Sequence, residues 1–201
     1  MQARVLNAPT VGKRAPKTVA YDAKTGSAVT LAEIYEKRPV VLYFANYSCM
    51  CSQKTAGFMS DLDEKYGDKF QFLLVYIREA HPTGGLDSHA SGTEFVIPDP
   101  QTFSERAAAA LVFGRERKLN FPILVDSMDD AQAVQWGAWP ARLFVIDQQG
   151  IVVYAGQQGP WFVKPTAKFD LGVHGVYEPY RNLPGYSRES LEEFLEKTTA
   201  P

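Results

Sequence analysis

Cysteine and histidine are scarce in this chain: two of the first, Cys49 and Cys51, and three of the second in 201 residues. One closely spaced pair is too little for a disulfide framework. In a reducing compartment such a pair more often catalyses or binds metal than staples a fold. Charge of one sign is also lacking: 21 basic against 23 acidic side chains leave a net charge of −2. That balance argues against nucleic acid or an anionic membrane surface as an obligate partner. No apolar window approaches the length of a membrane span, and the opening "MQARVLNAPTVGKRAP" has no apolar core of a signal peptide. A cytoplasmic protein without a membrane partner is expected. Internal repeats and low-complexity tracts are absent as well.

What is present has the composition of a globular protein, with 45% apolar and 22% charged residues. The length suits one domain over 1–201 with a full core. "KTVAYDAKTGSAVTL" gives two short β-prone pieces around a turn at Lys24–Gly26, then a short helix near Leu31–Glu36. "PVVLYFA" is a nearly continuous apolar strand, as expected of a central strand buried on both faces. Helical spacing of Ala56, Met59, Leu62 and Tyr66 predicts a helix from about Ser52 to Tyr66, and "FQFLLVYI" is a second buried strand. Residues 78 to 101, rich in Gly, Pro, Ser and His, read as a long loop, a kind of segment that often carries function. Thr102 and Glu105 have capping-box spacing and start a helix. "FPILVD" is a strand, "DAQAVQW" a short helix, and "ARLFVIDQQGIVVYAG" two strands around a Gln148–Gly150 turn. An aromatic, Pro-rich extension over 160–186 precedes a last helix with Ser187 as its expected N-cap.

This order predicts an α/β, thioredoxin-like fold: a central mixed β-sheet flanked by helices, with an N-terminal β-hairpin extension. The parallel strand pair with its helical crossover puts the loop after "VVLYFA" at the C-terminal edge of the sheet, where α/β proteins place their sites. Cys49 and Cys51 lie in that loop, inside "VVLYFANYSCMCSQKTAGF". A free cysteine titrates near about 8.5, and a depression of about two units at a helix N-terminus makes thiolate the major form at neutral pH. Two thiols one residue apart close a strained, easily reduced ring if oxidised, which suits a cycling pair. Buried filler is the bland alternative for both.

His81 follows the strand "FLLVYI" and so belongs to the same sheet edge. There it can stabilise a thiolate or deliver a proton to a leaving group. Glu79 either orients His81 or is a solvated loop charge. His89 and His174 have no such register and read as solvent-exposed. In thioredoxin-like folds a cis-proline before the hairpin strand faces the redox cysteine, and "WPARLFVI" puts Pro140 there. Trp136, Trp139 and Trp161 either wall an aromatic pocket or fill core. Ser48, Glu79, Trp139, Pro140 and Gln158 are the expected substrate-binding residues.

The chain resembles the iodothyronine deiodinase family, thioredoxin-fold proteins whose animal members use selenocysteine. The resemblance runs through "RPVVLYF", "FLLVYIREAHP", "LVDSMDD", "WGAWPARLFVI" and "VVYAGQQGP", covering roughly 38 to 160. The upstream "VGKRAP" and "VTLAEIYEKRP" also look like the opening of redoxin and peroxiredoxin-type proteins. From Arg38 to His81 the family pattern fits without a gap; it lays the selenocysteine on Cys49 and the family's catalytic histidine on His81. Where the family has a cysteine two residues before the nucleophile, this chain has Tyr47, so Cys51 is the candidate second thiol. A glutamate before the family's "RLYVI" is Ala141 here, and an arginine of its "GGRGP" segment is Gln158. Thiol chemistry is thus implied more strongly than a thyroid-hormone substrate.

Three function classes follow. The first is a thiol-dependent oxidoreductase acting on a small-molecule electrophile (halogen, peroxide or disulfide), recharged by thioredoxin or a low-molecular-weight thiol, with no cofactor and no metal. The second is a copper(I)-binding metallochaperone using Cys49, Cys51 and His81 as a soft ligand set. The third is a non-catalytic binding module. The 160–186 extension is expected to cover the site or to form a homodimer surface.

Overall fold

In the computed structural model, which describes residues 8–85, 95–156 and 185–200, Val40–Ala45 form β3, with every side chain buried. Successive side chains of a strand point to opposite faces, so β3 supplies two cores. Val41, Tyr43 and Ala45 enter one cluster, while Val40, Leu42 and Phe44 enter the other. β4 (Gln71–Tyr76) pairs with β3 in parallel, from Val40 opposite Gln71 to Ala45 opposite Tyr76. β6 (Arg142–Ile146) lies antiparallel on the other side of β3. β5 (Ile123–Val125) runs parallel to β4, β1 (Val19–Asp22) and β2 (Ala28–Thr30) extend that edge as an antiparallel hairpin, and β7 (Val152–Ala155) closes the opposite edge against β6. The sheet has seven strands in the order β2-β1-β5-β4-β3-β6-β7. This is the expected thioredoxin-like arrangement with its N-terminal hairpin.

Helices cover both faces. α2 (Met50–Tyr66) and α3 (Phe103–Glu116) pack Ala56, Met59, Leu62, Ala110 and Phe113 onto one face of the sheet. On the other face lie Ile34 and Tyr35 of α1 (Ala32–Tyr35) and Ala133 of α4 (Ala131–Gln135), with Trp136 just beyond it. Trp136 is completely buried against Phe44 and Phe144, the core-filling role. The Thr102–Glu105 capping box forms as expected. Among the described residues no helix is long and apolar enough to cross a membrane.

Two boundaries differ from expectation. α2 starts earlier, with Cys49 as N-cap, because the chain turns helical directly after the thiol. The last helix, α5 (Leu191–Thr199), is capped by Ser190, not Ser187. Ser190 and Glu193 form a reciprocal capping box. Ser187 is engaged with β7 instead: its amide donates to the Ala155 carbonyl and its hydroxyl accepts from the Ala155 amide. Most of the 160–186 extension, with His174 and Trp161, lies outside the described residues, as does His89.

Candidate active site

Three segments meet at the C-terminal edge of the parallel strands. The first is the loop from Asn46 to Cys49 that leaves β3. Asn46 ends an all-apolar run and is wholly buried, so its amide must find partners. Its Nδ2 donates to the Pro140 carbonyl at 2.8 Å, and its Oδ1 accepts from the Ala80 amide at 3.1 Å. One side chain thereby ties the thiol loop to both other segments.

The second segment, Arg78 to His81, leaves β4. Ser48 Oγ accepts from the Ala80 amide at 3.1 Å and the His81 amide at 2.9 Å. Glu79 is 2% exposed. One of its oxygens accepts the Ser48 amide at 2.8 Å, and the other accepts the Tyr76 hydroxyl. Burial pushes the Glu79 carboxyl up, against the lowering effect of the bonds from Ser48 and Tyr76. Tyr76 in turn accepts the Tyr47 amide at 3.0 Å. Its phenol is held well above its usual range, first by burial and then by the Glu79 charge.

The third segment is the turn into β6, with a cis peptide bond between Trp139 and Pro140, the isomer expected there. Trp139 is half-buried, and its indole Nε1 donates to the Glu79 carbonyl at 3.3 Å. Cys49, Ala80 and Ala141 form a small buried cluster, with Cys51 and Trp139 packed against it. The resemblance assigns a glutamate to position 141; here the Ala141 side chain lies against the thiol.

Cys49 is 3% exposed, and Cys51, in the first turn of α2, is half-buried; both are free. No capping hydrogen bond closes on the Cys49 sulfur. Its acidity comes from nearby first-turn donors. The Cys51 thiol contributes most and burial opposes it; the Ser52 amide and hydroxyl and the Cys51 amide add to the lowering. Together they bring Cys49 from 9.0 down to about 7. Cys51 is pushed up, above all because its thiol serves as the donor to Cys49, and further by burial. One thiol is acidic because the other keeps its proton. Below them the Tyr43 hydroxyl donates to the Ser52 carbonyl at 2.6 Å, fixing the first helical turn to the core.

The structure therefore gathers Cys49, Cys51, Glu79, Trp139 and Pro140 around one loop cluster, with Ser48 and the His81 backbone bound into it. It corrects several roles. Ser48 and Glu79 were expected to touch substrate; both are buried, with polar atoms engaged by the neighbouring loops. Glu79 is no solvated charge, and its two oxygens are held by Ser48 and Tyr76 rather than by the His81 ring. His81 Nδ1 is buried without a hydrogen-bond partner among the described residues. Among those residues no group of three His, Cys, Asp or Glu side chains is placed to hold a metal, so Cys49, Cys51 and His81 do not converge as a copper(I) ligand set. Gln158 lies outside the described residues. The sequence reading missed Asn46 and Tyr76. A polar residue closing an apolar strand was the available signal for Asn46; Tyr76 looked like core.

Comparison with known proteins bears on this arrangement. The iodothyronine deiodinase family profile matches residues 2–167. A thyroxine 5-deiodinase from Gallus gallus is 39% identical over 126 residues, covering 62% of this chain and 46% of that protein. A type I iodothyronine deiodinase from Xenopus laevis is 28% identical over 155 residues, covering 77% of this chain and 60% of that one. The chain thus spans about half the length of the curated relatives it matches. Among solved structures, a thiol:disulfide interchange protein from Bacteroides sp. aligns with a TM-score of 0.55 at 15% identity over 76% of this chain and 84% of its own. The thioredoxin domain of a thiol-disulfide oxidoreductase from Bacteroides vulgatus aligns at 0.54 and 15% identity, covering 76% of this chain and 91% of its own. These two establish the thioredoxin-like fold.

Proposed function

The chain belongs to the iodothyronine deiodinase family, and from that premise we propose that it is a thiol oxidoreductase in which Cys49 attacks a soft electrophile and Cys51 resolves the adduct. The observation that carries this reading is the placement of Cys49 as N-cap of α2 with Cys51 packed against its cluster, a setting that lowers the Cys49 pKa to about 7. A thiolate is the nucleophile in such chemistry, and the neighbouring Cys51 thiol that favours it is also the next reactant.

With a hydroperoxide, the Cys49 thiolate takes the terminal oxygen and the alkoxide leaves with a proton, giving a sulfenic acid at Cys49. The Cys51 thiol then condenses with it, forming a disulfide and releasing water. An external dithiol, such as thioredoxin or a low-molecular-weight thiol, returns the two electrons and two protons. With a halogenated ring, Cys49 takes the halogen while a proton goes to the ring carbon, a step for which His81, on the loop after β4, is the proposed donor. Cys51 then displaces halide from Cys49 and leaves the same disulfide. Cys49 is deeply buried with Cys51 and Trp139 packed against its cluster, which favours a small or planar electrophile.

Thyroxine is proposed to be a poor substrate. Ala141 supplies no acid beside the thiol, and position 158 has glutamine where the resemblance places a cation. Losing one charge-assisted contact costs about 1.5–3 kcal/mol, roughly ten- to a hundredfold in affinity. The test runs iodide release from thyroxine beside hydroperoxide consumption, each with excess dithiol. Hydroperoxide turnover that vanishes in Cys49→Ala, with little iodide release, is the expected result. Efficient, saturable iodide release that requires both Cys49 and His81 would restore thyroxine as substrate. No thiol-dependent turnover of any electrophile would leave only a binding module.

A further inference from the structure

The end of α3, the chain from Lys118 into β5 and the β1–β2 turn enclose a cavity of about 870 Å³. Ile123 opens β5, which runs parallel to β4 as β3 does, so this cavity lies at the sheet edge opposite the thiol loop. Its volume falls within the range of about 300–1,000 Å³ usual for small-molecule sites. The sequence builds each wall. Leu111, Gly114 and Arg115 share one face of α3, and that face packs closely on β5: a Cβ on Gly114 would stand 2.2 Å from Ile123 Cδ1. Lys118 then takes a left-handed φ of 54°, and the Leu119 amide donates back to the Gly114 carbonyl at 2.9 Å, which ends the helix. The third wall is fixed by Asp22, whose Oδ1 accepts the Lys24 and Thr25 amides at 3.0 and 2.8 Å. Beside it the Ala23 amide donates to the Ile123 carbonyl at 3.0 Å.

The lining is divided in chemistry. Leu111, Leu119 and Ile123 are partly buried against the core and supply apolar surface. Lys24, Arg115 and Lys118 are exposed and supply positive charge. None of the three takes part in an ion pair among the described residues. Among those residues Asp22 is the one carboxylate in the lining, and its Oδ1 is engaged by its own turn. Three cations against one carboxylate leave a local excess of two positive charges in a chain whose net charge is −2. The helix dipole accounts for basic residues at the end of α3, but not for Lys24, which arrives from the hairpin.

We propose that this cavity is a second ligand site, separate from the thiols, for a soluble phosphate monoester with an apolar body. Above its second pKa near 6 such a phosphate carries about two negative charges, which matches the local excess. Its oxygens suit an arginine fork flanked by ammonium groups. Leu111, Leu119 and Ile123 receive the apolar body. No bond is made or broken there; the ligand is bound, not converted.

Hexyl phosphate is the probe, titrated calorimetrically into the full chain at pH 8. Hexyl sulfate, inorganic phosphate and hexanol are controls that each lack one feature: the second charge, the apolar body or the anion. Hexyl phosphate should bind about three- to tenfold more tightly than hexyl sulfate, the range for a charge-assisted contact that is partly solvent-screened. Against inorganic phosphate or hexanol its advantage should be larger than that. Arg115→Gln, Lys118→Gln and Lys24→Gln, all at exposed positions, should each weaken hexyl phosphate about three- to tenfold. Leu119→Ser should weaken hexyl phosphate and leave inorganic phosphate unchanged. Equal binding of hexyl phosphate and inorganic phosphate, an affinity that survives all three charge substitutions, or no binding of hexyl phosphate would overturn the site. A lipid phosphate shares this chemistry, so vesicles containing phosphatidic acid form a second arm; retention on them without binding of soluble hexyl phosphate would equally overturn it.

Discussion

Removing the Cys51 thiol should change how Cys49 reacts with pH in a way no unfolding artefact imitates. The Cys51 thiol is the largest contributor to lowering Cys49 from 9.0 to about 7, a difference of about 2.7 kcal/mol between the protonation states. In Cys51→Ala that donor is lost, while the Ser52 amide and hydroxyl and the Cys51 position's own amide remain, so complete reversion is the upper limit. At pH 7 a group with a pKa near 7 is about half thiolate, and one near 9 about one per cent, roughly a fiftyfold loss of nucleophile. Each remaining thiolate is more nucleophilic, by about six- to tenfold for two pKa units. The net loss at pH 7 is therefore at most about five- to eightfold, whereas above pH 10 the variant overtakes the parent by up to about six- to tenfold. Iodoacetamide alkylation of Cys49, followed by mass spectrometry across pH 5–11, should give two curves that cross. Cys51→Ser, which keeps a hydroxyl donor, should fall between them. Curves with the same midpoint would show that Cys51 does not set the acidity. An acidic thiol that survives Cys49→Ala would assign the nucleophile to Cys51.

Three further outcomes are expected. Burial raises Asp126 to about 6 despite bonds from the Ala133 and Gln132 amides. A carboxyl whose pKa is raised on folding holds its proton longer in the folded state, so its contribution to stability falls as pH rises from about 4 to about 6; urea unfolding of Asp126→Asn should lack that decline, and an unchanged slope would exclude Asp126 as its source. Ser190→Ala removes a capping box and should cost about 0.5–2 kcal/mol in urea unfolding, whereas Ser187→Ala should leave helix content unchanged by circular dichroism; the reverse order would restore Ser187 as the cap. Asn46→Ala leaves the Pro140 carbonyl without its side-chain donor and should destabilise by about 1–3 kcal/mol while lowering turnover more than the single-turnover alkylation rate; an equal loss in both would make Asn46 purely structural.

Much of this architecture was legible from local pattern. The apolar run over Val40–Ala45 pointed to a strand buried on both faces, and the Thr102–Glu105 spacing to a helix start, because both signals lie within a few residues of chain. The position of Cys49 between a buried strand and a helix, and of Pro140 before β6, followed from element order. Tertiary structure decided the rest. Ser190, with Glu193 three residues on, has the capping-box spacing that Ser187 lacks, and the fold adds that β7 engages Ser187. Glu79 looked like a loop charge, yet the fold buries it between Ser48 and Tyr76, residues 31 and 3 positions away. The lower pKa of Cys49 arises although it is the deeper thiol, because the Cys51 and Ser52 groups around it outweigh the effect of burial, and that balance belongs to the folded site. Periodicity and caps are local and survive in the sequence; burial, long-range hydrogen bonds and the pairing of charges belong to the folded chain, and the proposed chemistry rests on these.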